Sequence, residues 1–313
     1  MAKEIIFKGE KAIELHNKKI KVVILPQIGG KIASLYHKEK EFEFAFQNKE
    51  NTYKRPKLYS SFAEFDAAGL DDAFPTIDQC TVNYHGKEVI YPDHGEIWTS
   101  SFQVESIMDN KVTLKYESEI LPYTYHKIIE LKENSEVEIS YDIKNNGVDK
   151  IPCIFAAHFL VNCHQDMIIN FPKGTEQIVN VQPSERLGSV GTVHEIDANI
   201  SKEGTVHESL LSVLPAHSNN TEKYYVKDKV KEGRCSILYK HVQLEYILKY
   251  DKEKLPYLGF WVTEGGFRGD YNCALEPTNG YYDSIDIAER ENKLYYINPK
   301  DSLRFNIVIE IKE

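Results

Sequence analysis

The sequence predicts an all-β protein built as an antiparallel sandwich, and three observations lead there. Apolar and polar residues alternate with period two from one end of the chain to the other, the signature of half-buried strands. Helical spacing with capping residues is scarce. Aromatic residues make up 12% of the 313 positions, with 20 Tyr and 14 Phe, types that suit a pleated, half-buried surface.

The elements follow in order. Glu4-Ile5-Ile6-Phe7 and Ile20-Lys21-Val22-Val23-Ile24-Leu25 open the pattern. Residues 60–73 read as a short helix or an irregular loop. Val112-Thr113-Leu114-Lys115-Tyr116 and Tyr125 to Leu131 continue as strands, and Glu136 to Ile143 carries an apolar residue at every second position. Asn145-Asn146-Gly147 then offers the residue types of a tight turn with positive φ. The polar stretch from Asn199 to Asn220 reads as excursions between strands, with a strand around Leu210 to Leu214. Leu303 to Ile311 closes the chain as a strand. No Pro/Gly/Ser-rich linker interrupts this run, so residues 1–313 are expected to form a single domain.

Composition narrows the function. The formal net charge of −10 disfavours nucleic acid and anionic membranes, which are held by Lys and Arg displacing counterions. Five scattered cysteines without CxxC spacing argue against a disulfide framework or a zinc site and fit a reducing compartment. Residues 1–25 contain no apolar run of signal-peptide length, and no window reaches membrane length, so a cytoplasmic protein is expected. Outside His94 and His158, the histidines (His164, His207 and His241 among them) show no HxH or HExxH spacing. No phosphate-binding loop or dinucleotide fingerprint follows a strand. The expectation is therefore no metal and no organic cofactor.

Four segments break the local rules. Tyr91-Pro92-Asp93-His94-Gly95-Glu96-Ile97-Trp98 is a turn that ends in a large aromatic suited to burial. Phe155-Ala156-Ala157-His158-Phe159-Leu160 is apolar on both faces, which puts the strand in the interior, where an imidazole needs a partner. Leu255 to Val262 is an apolar strand that runs toward the turn Gly265-Gly266, followed by Arg268. In Asn272-Cys273-Ala274-Leu275-Glu276-Pro277, the proline forces Glu276 into extended geometry at a strand end. Apolar neighbours there would raise the Glu276 pKa and make it a stronger base.

These four segments, in this order, resemble the galactose mutarotase-like (aldose 1-epimerase) family. The resemblance rests on His94-Gly95 with Trp98, on His158-Phe159, and on Leu275-Glu276-Pro277, and it covers the chain from about residue 15 onward. It implies a β-supersandwich whose concave face receives a free sugar. It further implies Glu276 as general base on the anomeric hydroxyl, His158 as general acid on the ring oxygen, and His94 hydrogen-bonded to the sugar. The chain departs from the family pattern where Glu96-Ile97, with no arginine, lead from His94-Gly95 to Trp98, where Phe159-Leu160-Val161 follows the strand histidine, and where Thr278-Asn279-Gly280 follows Glu276-Pro277. The aspartate that contacts sugar hydroxyls in the family has no clear match. Asp72, in Gly69-Leu70-Asp71-Asp72, is the candidate, with Trp98 and Arg268 as further candidate sugar contacts. Two rival readings are a hexose-6-phosphate 1-epimerase, for which the arginines are few, and a non-catalytic carbohydrate-binding protein on the same fold. The sequence leaves the oligomeric state open.

Overall fold

A computed structural model describes residues 1–197, 199–200 and 208–313. Its framework is two large sheets, one of thirteen strands and one of eight, in which every strand pairing is antiparallel. The eight-stranded sheet shows why the alternating segments read so clearly. Glu136–Asn145 and Ser302–Lys312 pair along their lengths and turn Val137, Ile139, Tyr141 and Ile143, with Leu303, Phe305, Ile307 and Ile309, into the core. Their other face is polar and carries surface pairs such as Arg304 with Asp142.

The centre of the thirteen-stranded sheet runs Lys31–His37, Leu70–Ala73, Ala156–Phe159, Tyr271–Thr278, Tyr257–Glu264, Asn220–Val226. These strands are buried on both faces because one face packs on the eight-stranded sheet and the other lies beneath loops. Phe155 marks the inter-sheet side, 5.0 Å from the Tyr141 ring and 4.7 Å from Phe305. Deleting such a ring costs about 3–5 kcal/mol, so this layer carries much of the stability.

The structure departs from the sequence reading in four places. Residues 60–73 hold a 3₁₀ turn, Phe62–Glu64, and then a strand, Leu70–Ala73. Asn145 to Gly147 turn without positive φ. Asn145 belongs to the strand, and a Cβ on Gly147 would lie 2.1 Å from the Tyr84 hydroxyl, so the glycine serves close packing. Leu210 to Leu214 is a turn, not a strand: the Ser209 hydroxyl accepts from the Leu211 N–H, and Pro215 follows. Within that polar stretch, residues 201–207 lie outside the described residues. A short helix, Ile285–Arg290, buries Ile285 and Ala288 after Ser284 at its N-terminus, and nothing in the spacing announces it. No helix among the described residues is long and apolar enough to cross a membrane.

Candidate functional site

Strand register assembles the site. Residues directly opposite on antiparallel strands share a face, as do residues two apart on one strand. Ala156 lies opposite Thr278, so His158 and Glu276 point to the same side. Glu276 lies opposite Gly259, which lies opposite Tyr225, and Trp261 lies between Ala274 and Lys223. On the far side of the His158 strand, Asp71 lies opposite His158. One face therefore carries Asp71, His158, Glu276, Trp261, Lys223 and Tyr225, with small residues between them. Gly259 is small for a reason, since a Cβ there would meet Glu276 Oε2 at 3.1 Å and the Tyr225 ring at 3.2 Å.

Loops close over this face. In the turn that precedes Trp98, His94 takes φ +56° and donates its N–H to the Ile77 carbonyl at 2.6 Å. Its ring stacks on Phe62 at 4.1 Å and meets the His158 ring edge-on at 4.9 Å. Asp93 braces the turn with both oxygens, one 2.7 Å from His94 Nδ1 and the other accepting the Phe62 N–H at 2.8 Å. Glu96, fully buried, accepts hydroxyls from Tyr116, Ser118 and Tyr123, so this turn is tied down from below. The result is a cleft of about 190 Å³ lined by Phe62, His94, His158, Lys223, Trp261 and Asp283, among others. That is below the roughly 300–1,000 Å³ of drug-sized pockets and suits a ligand of one ring.

The electrostatics of the floor are unusual. His158 Nε2 lies 3.8 Å from Glu276 Oε1. Lys223 Nζ is 3.2 Å from Glu276 Oε2 and 3.2 Å from Asp283 Oδ1, which also accepts the Tyr225 hydroxyl at 2.6 Å. Glu276 is 0% exposed and is not among the residues that line the cleft, and neither of its oxygens has a partner in hydrogen-bond geometry. His158 Nδ1 and both Asp71 oxygens are likewise buried without one. Burial raises the Glu276 pKa against the pull of Lys223, with Asp283 adding to the rise. Burial lowers His158 well below its ordinary value, helped by His94 and Lys223. Asp71 is pushed up to about 6 by burial, in spite of Lys31 at 2.9 Å. Burial therefore favours the neutral form of each group, a protonated Glu276 and an uncharged His158.

Of the residues singled out in the sequence, the structure brings together His94, His158 and Glu276. Asp72 is a correction. It faces the opposite side, between the sheets, where Lys127 at 2.7 Å, Tyr141 at 2.9 Å and Tyr125 at 3.1 Å occupy it. Trp98 is also a correction. It is buried behind Phe62, with its indole N–H donated to the Asp93 carbonyl, and it does not line the cleft. Arg268 is a third. Its guanidinium donates to the Phe65 carbonyl at 2.8 Å and so clasps the Phe62 loop.

The sequence reading missed Lys223, Asp283 and Phe62, and it took Trp261 only as part of an apolar strand. One signal was available: Glu222-Lys223 places adjacent charges inside a strand that runs on into Tyr224-Tyr225-Val226, which requires both faces to be enclosed with partners. Away from the cleft, His164 and His241 stack at 3.6 Å and share Asp166 Oδ1 at 2.6 and 3.0 Å. Together with Asp166 they place one ligand atom each within 4.8 Å of one another, a grouping that could hold a metal ion and that the histidine spacing in the sequence does not announce. His207 lies outside the described residues.

Two large antiparallel sheets with scarcely any helix make a galactose mutarotase-like β-sandwich, and that is the fold of this chain. A galactose mutarotase-like protein from Lactobacillus casei ATCC 334 superposes with a TM-score of 0.71 at 16% identity, over 96% of this chain and 100% of that one. A galactose mutarotase related enzyme from Lactobacillus acidophilus gives 0.68 at 15% identity, over 96% and 97%. The Slr1438 protein from Synechocystis sp. PCC 6803 gives 0.72 at 14% identity, over 98% of both chains. Residues 5–106 match a family described as a domain of unknown function (DUF5107). A search of curated proteins found no match to the sequence.

Proposed function

We propose that the cleft takes a free sugar and interconverts its α and β anomers, as an aldose 1-epimerase does, with residues 1–313 acting as one unit. The observation that supports this best is the 3.8 Å between His158 Nε2 and Glu276 Oε1, close enough for both to reach one hemiacetal centre. Glu276 takes the proton of the anomeric hydroxyl as the C1–O5 bond breaks, and His158 delivers a proton to the departing O5. Rotation about C1–C2 presents the other face of the aldehyde, and the reverse transfers close the ring. The step runs from the form with Glu276 ionised and His158 protonated, and the proton that leaves His158 is matched by the one Glu276 takes up. His94 supplies a hydrogen bond to the sugar, and Trp261 offers an apolar face to its C–H side.

A phosphorylated sugar is disfavoured. The cleft wall carries Asp78, Asp93 and Asp283, and its one lysine among the described lining residues, Lys223, already faces two carboxylates. Magnetisation exchange between anomers, followed by NMR over a panel of neutral hexoses and pentoses, tests the reading. Enzyme-dependent exchange is expected for at least one sugar, and rates equal to the buffer blank for all of them would overturn it.

A second reading, sugar binding without turnover, is favoured by one observation: Glu276 is fully buried and capped by Lys223. Under that reading, Glu276→Gln keeps saturable sugar binding and the wild type shows no exchange.

A further inference from the structure

We infer that Lys223 is a positioning residue for Glu276, holding Oε2 so that Oε1 stays turned toward His158 and the cleft. This rests on the anomerase reading of the pair. Glu276 is a buried carboxylate with no hydrogen-bonding donor, an arrangement that costs several kcal/mol unless a charge opposes it. Lys223 is that charge, 3.2 Å from Oε2, while Oε1 lies 3.8 Å from His158 Nε2.

The ammonium is itself held from the other side. Asp283 Oδ1 sits 3.2 Å from Nζ and is fixed by the Tyr225 hydroxyl at 2.6 Å. Tyr225, Asp283, Lys223 and Glu276 thus form a chain that ends on the base. The missing Cβ at Gly259 leaves the space in which the carboxylate and the Tyr225 ring meet. Burial opposes the charge on Lys223, but Asp283, Glu276 and Asp78 outweigh it, so the group stays an ammonium and is not a free amine nucleophile. Lys223 is first among the groups that pull Glu276 down, and His94 adds to it, while Asp283 pushes the other way. The titratable groups around the base are therefore His158, His94, Lys223, Asp283, Asp78 and Tyr225.

The opposed signs supply the test. Protein carrying ¹³C at the glutamate Cδ is titrated by NMR without sugar, as wild type, Lys223→Met, Lys223→Arg and Asp283→Asn, with the Glu276 signal assigned from Glu276→Gln. Lys223→Met is expected to move the Glu276 midpoint up by about 1–3 pH units, the usual effect of losing an opposite charge at such a distance. The acid limb of the anomer-exchange profile should follow it, with exchange at pH 6 down at least about tenfold. Lys223→Arg restores most of the loss, and Asp283→Asn moves the midpoint down. A midpoint unmoved by Lys223→Met in a protein with wild-type near-UV circular dichroism overturns the inference. Should that variant not fold, an unmoved midpoint in Asp283→Asn overturns it equally. If the midpoints move as expected but the wild type shows no exchange with any sugar, the positioning role stands and the epimerase reading fails.

Discussion

Two buried lysine–carboxylate clusters lie on opposite faces of the same sheet, and they are built in opposite ways. Between the sheets, Lys127 and Asp72 are locked by Tyr125 and Tyr141, so that both Asp72 oxygens carry hydrogen bonds. Under the loops, Lys223 and Glu276 meet at ion-pair distance, yet the carboxylate oxygens and the neighbouring imidazole Nδ1 lack hydrogen-bonding partners. A satisfied network of this kind rigidifies a core, whereas the charges under the loops are held by ion pairing without that full set of hydrogen bonds. Asp71 and Asp72 show the contrast in adjacent residues. Asp71, on the cleft side, has its pKa pushed up to about 6 by burial, and Asp72, on the core side, is fully occupied.

The sharpest way to break this comparison is Glu276→Gln. Exchange should fall by about 10²–10⁴-fold, since a proton-transfer group is lost while the shape is kept. Stability should move the other way at neutral pH. A carboxyl whose folded pKa is raised keeps its proton after the unfolded chain has lost it, so the wild type loses stability as pH rises from the ordinary value through the raised one. The glutamine variant escapes that loss, with a higher Tm at pH 8 and an unchanged one at pH 4. A Tm lowered at pH 8 would make Glu276 a structural residue.

Asp72→Ala should behave as the converse. It strands Lys127 in the core and is expected to cost about 3–5 kcal/mol in urea denaturation, while exchange per folded molecule is kept. A cost under about 1 kcal/mol would remove the distinction between the two faces. Gly259→Ala probes the cleft side without touching a charge. Its Cβ would press on Glu276 Oε2 and the Tyr225 ring, and about a tenfold loss of exchange with a modest change in Tm is expected. Trp261→Ala should weaken sugar binding by about 0.5–1.5 kcal/mol in calorimetry, the worth of one aromatic face. Arg268→Ala, which loosens a loop clasp at the rim, should change stability by no more than about 0.5 kcal/mol.

His158 and Glu276 were legible in the sequence because local rules isolate them: an imidazole in a strand apolar on both faces, and a carboxylate held extended by Pro277. His94 was legible as part of a Pro- and Gly-containing turn. Asp72 was misread because the side a strand residue faces depends on parity, and Gly69-Leu70-Asp71-Asp72-Ala73 carries no alternation to set it. Trp98 was misread because a buried aromatic below a site looks the same in sequence as one lining it. Lys223 and Asp283 were missed because their value lies in each other and in Glu276, on segments that the chain alone does not join.

What the sequence by itself determined is the all-β class and the positions of the alternating strands, and it singled out His94, His158 and Glu276, which the structure brings together. These are properties of single segments, set by side-chain period and by the fixed φ of proline. Only the tertiary structure decided that Ala156–Phe159 lies beside Tyr271–Thr278, and that Asn220–Val226 stands two strands further on. Strand order and register are long-range choices, made by the burial of whole faces. They determine which charges share the cleft and which are sealed in the core.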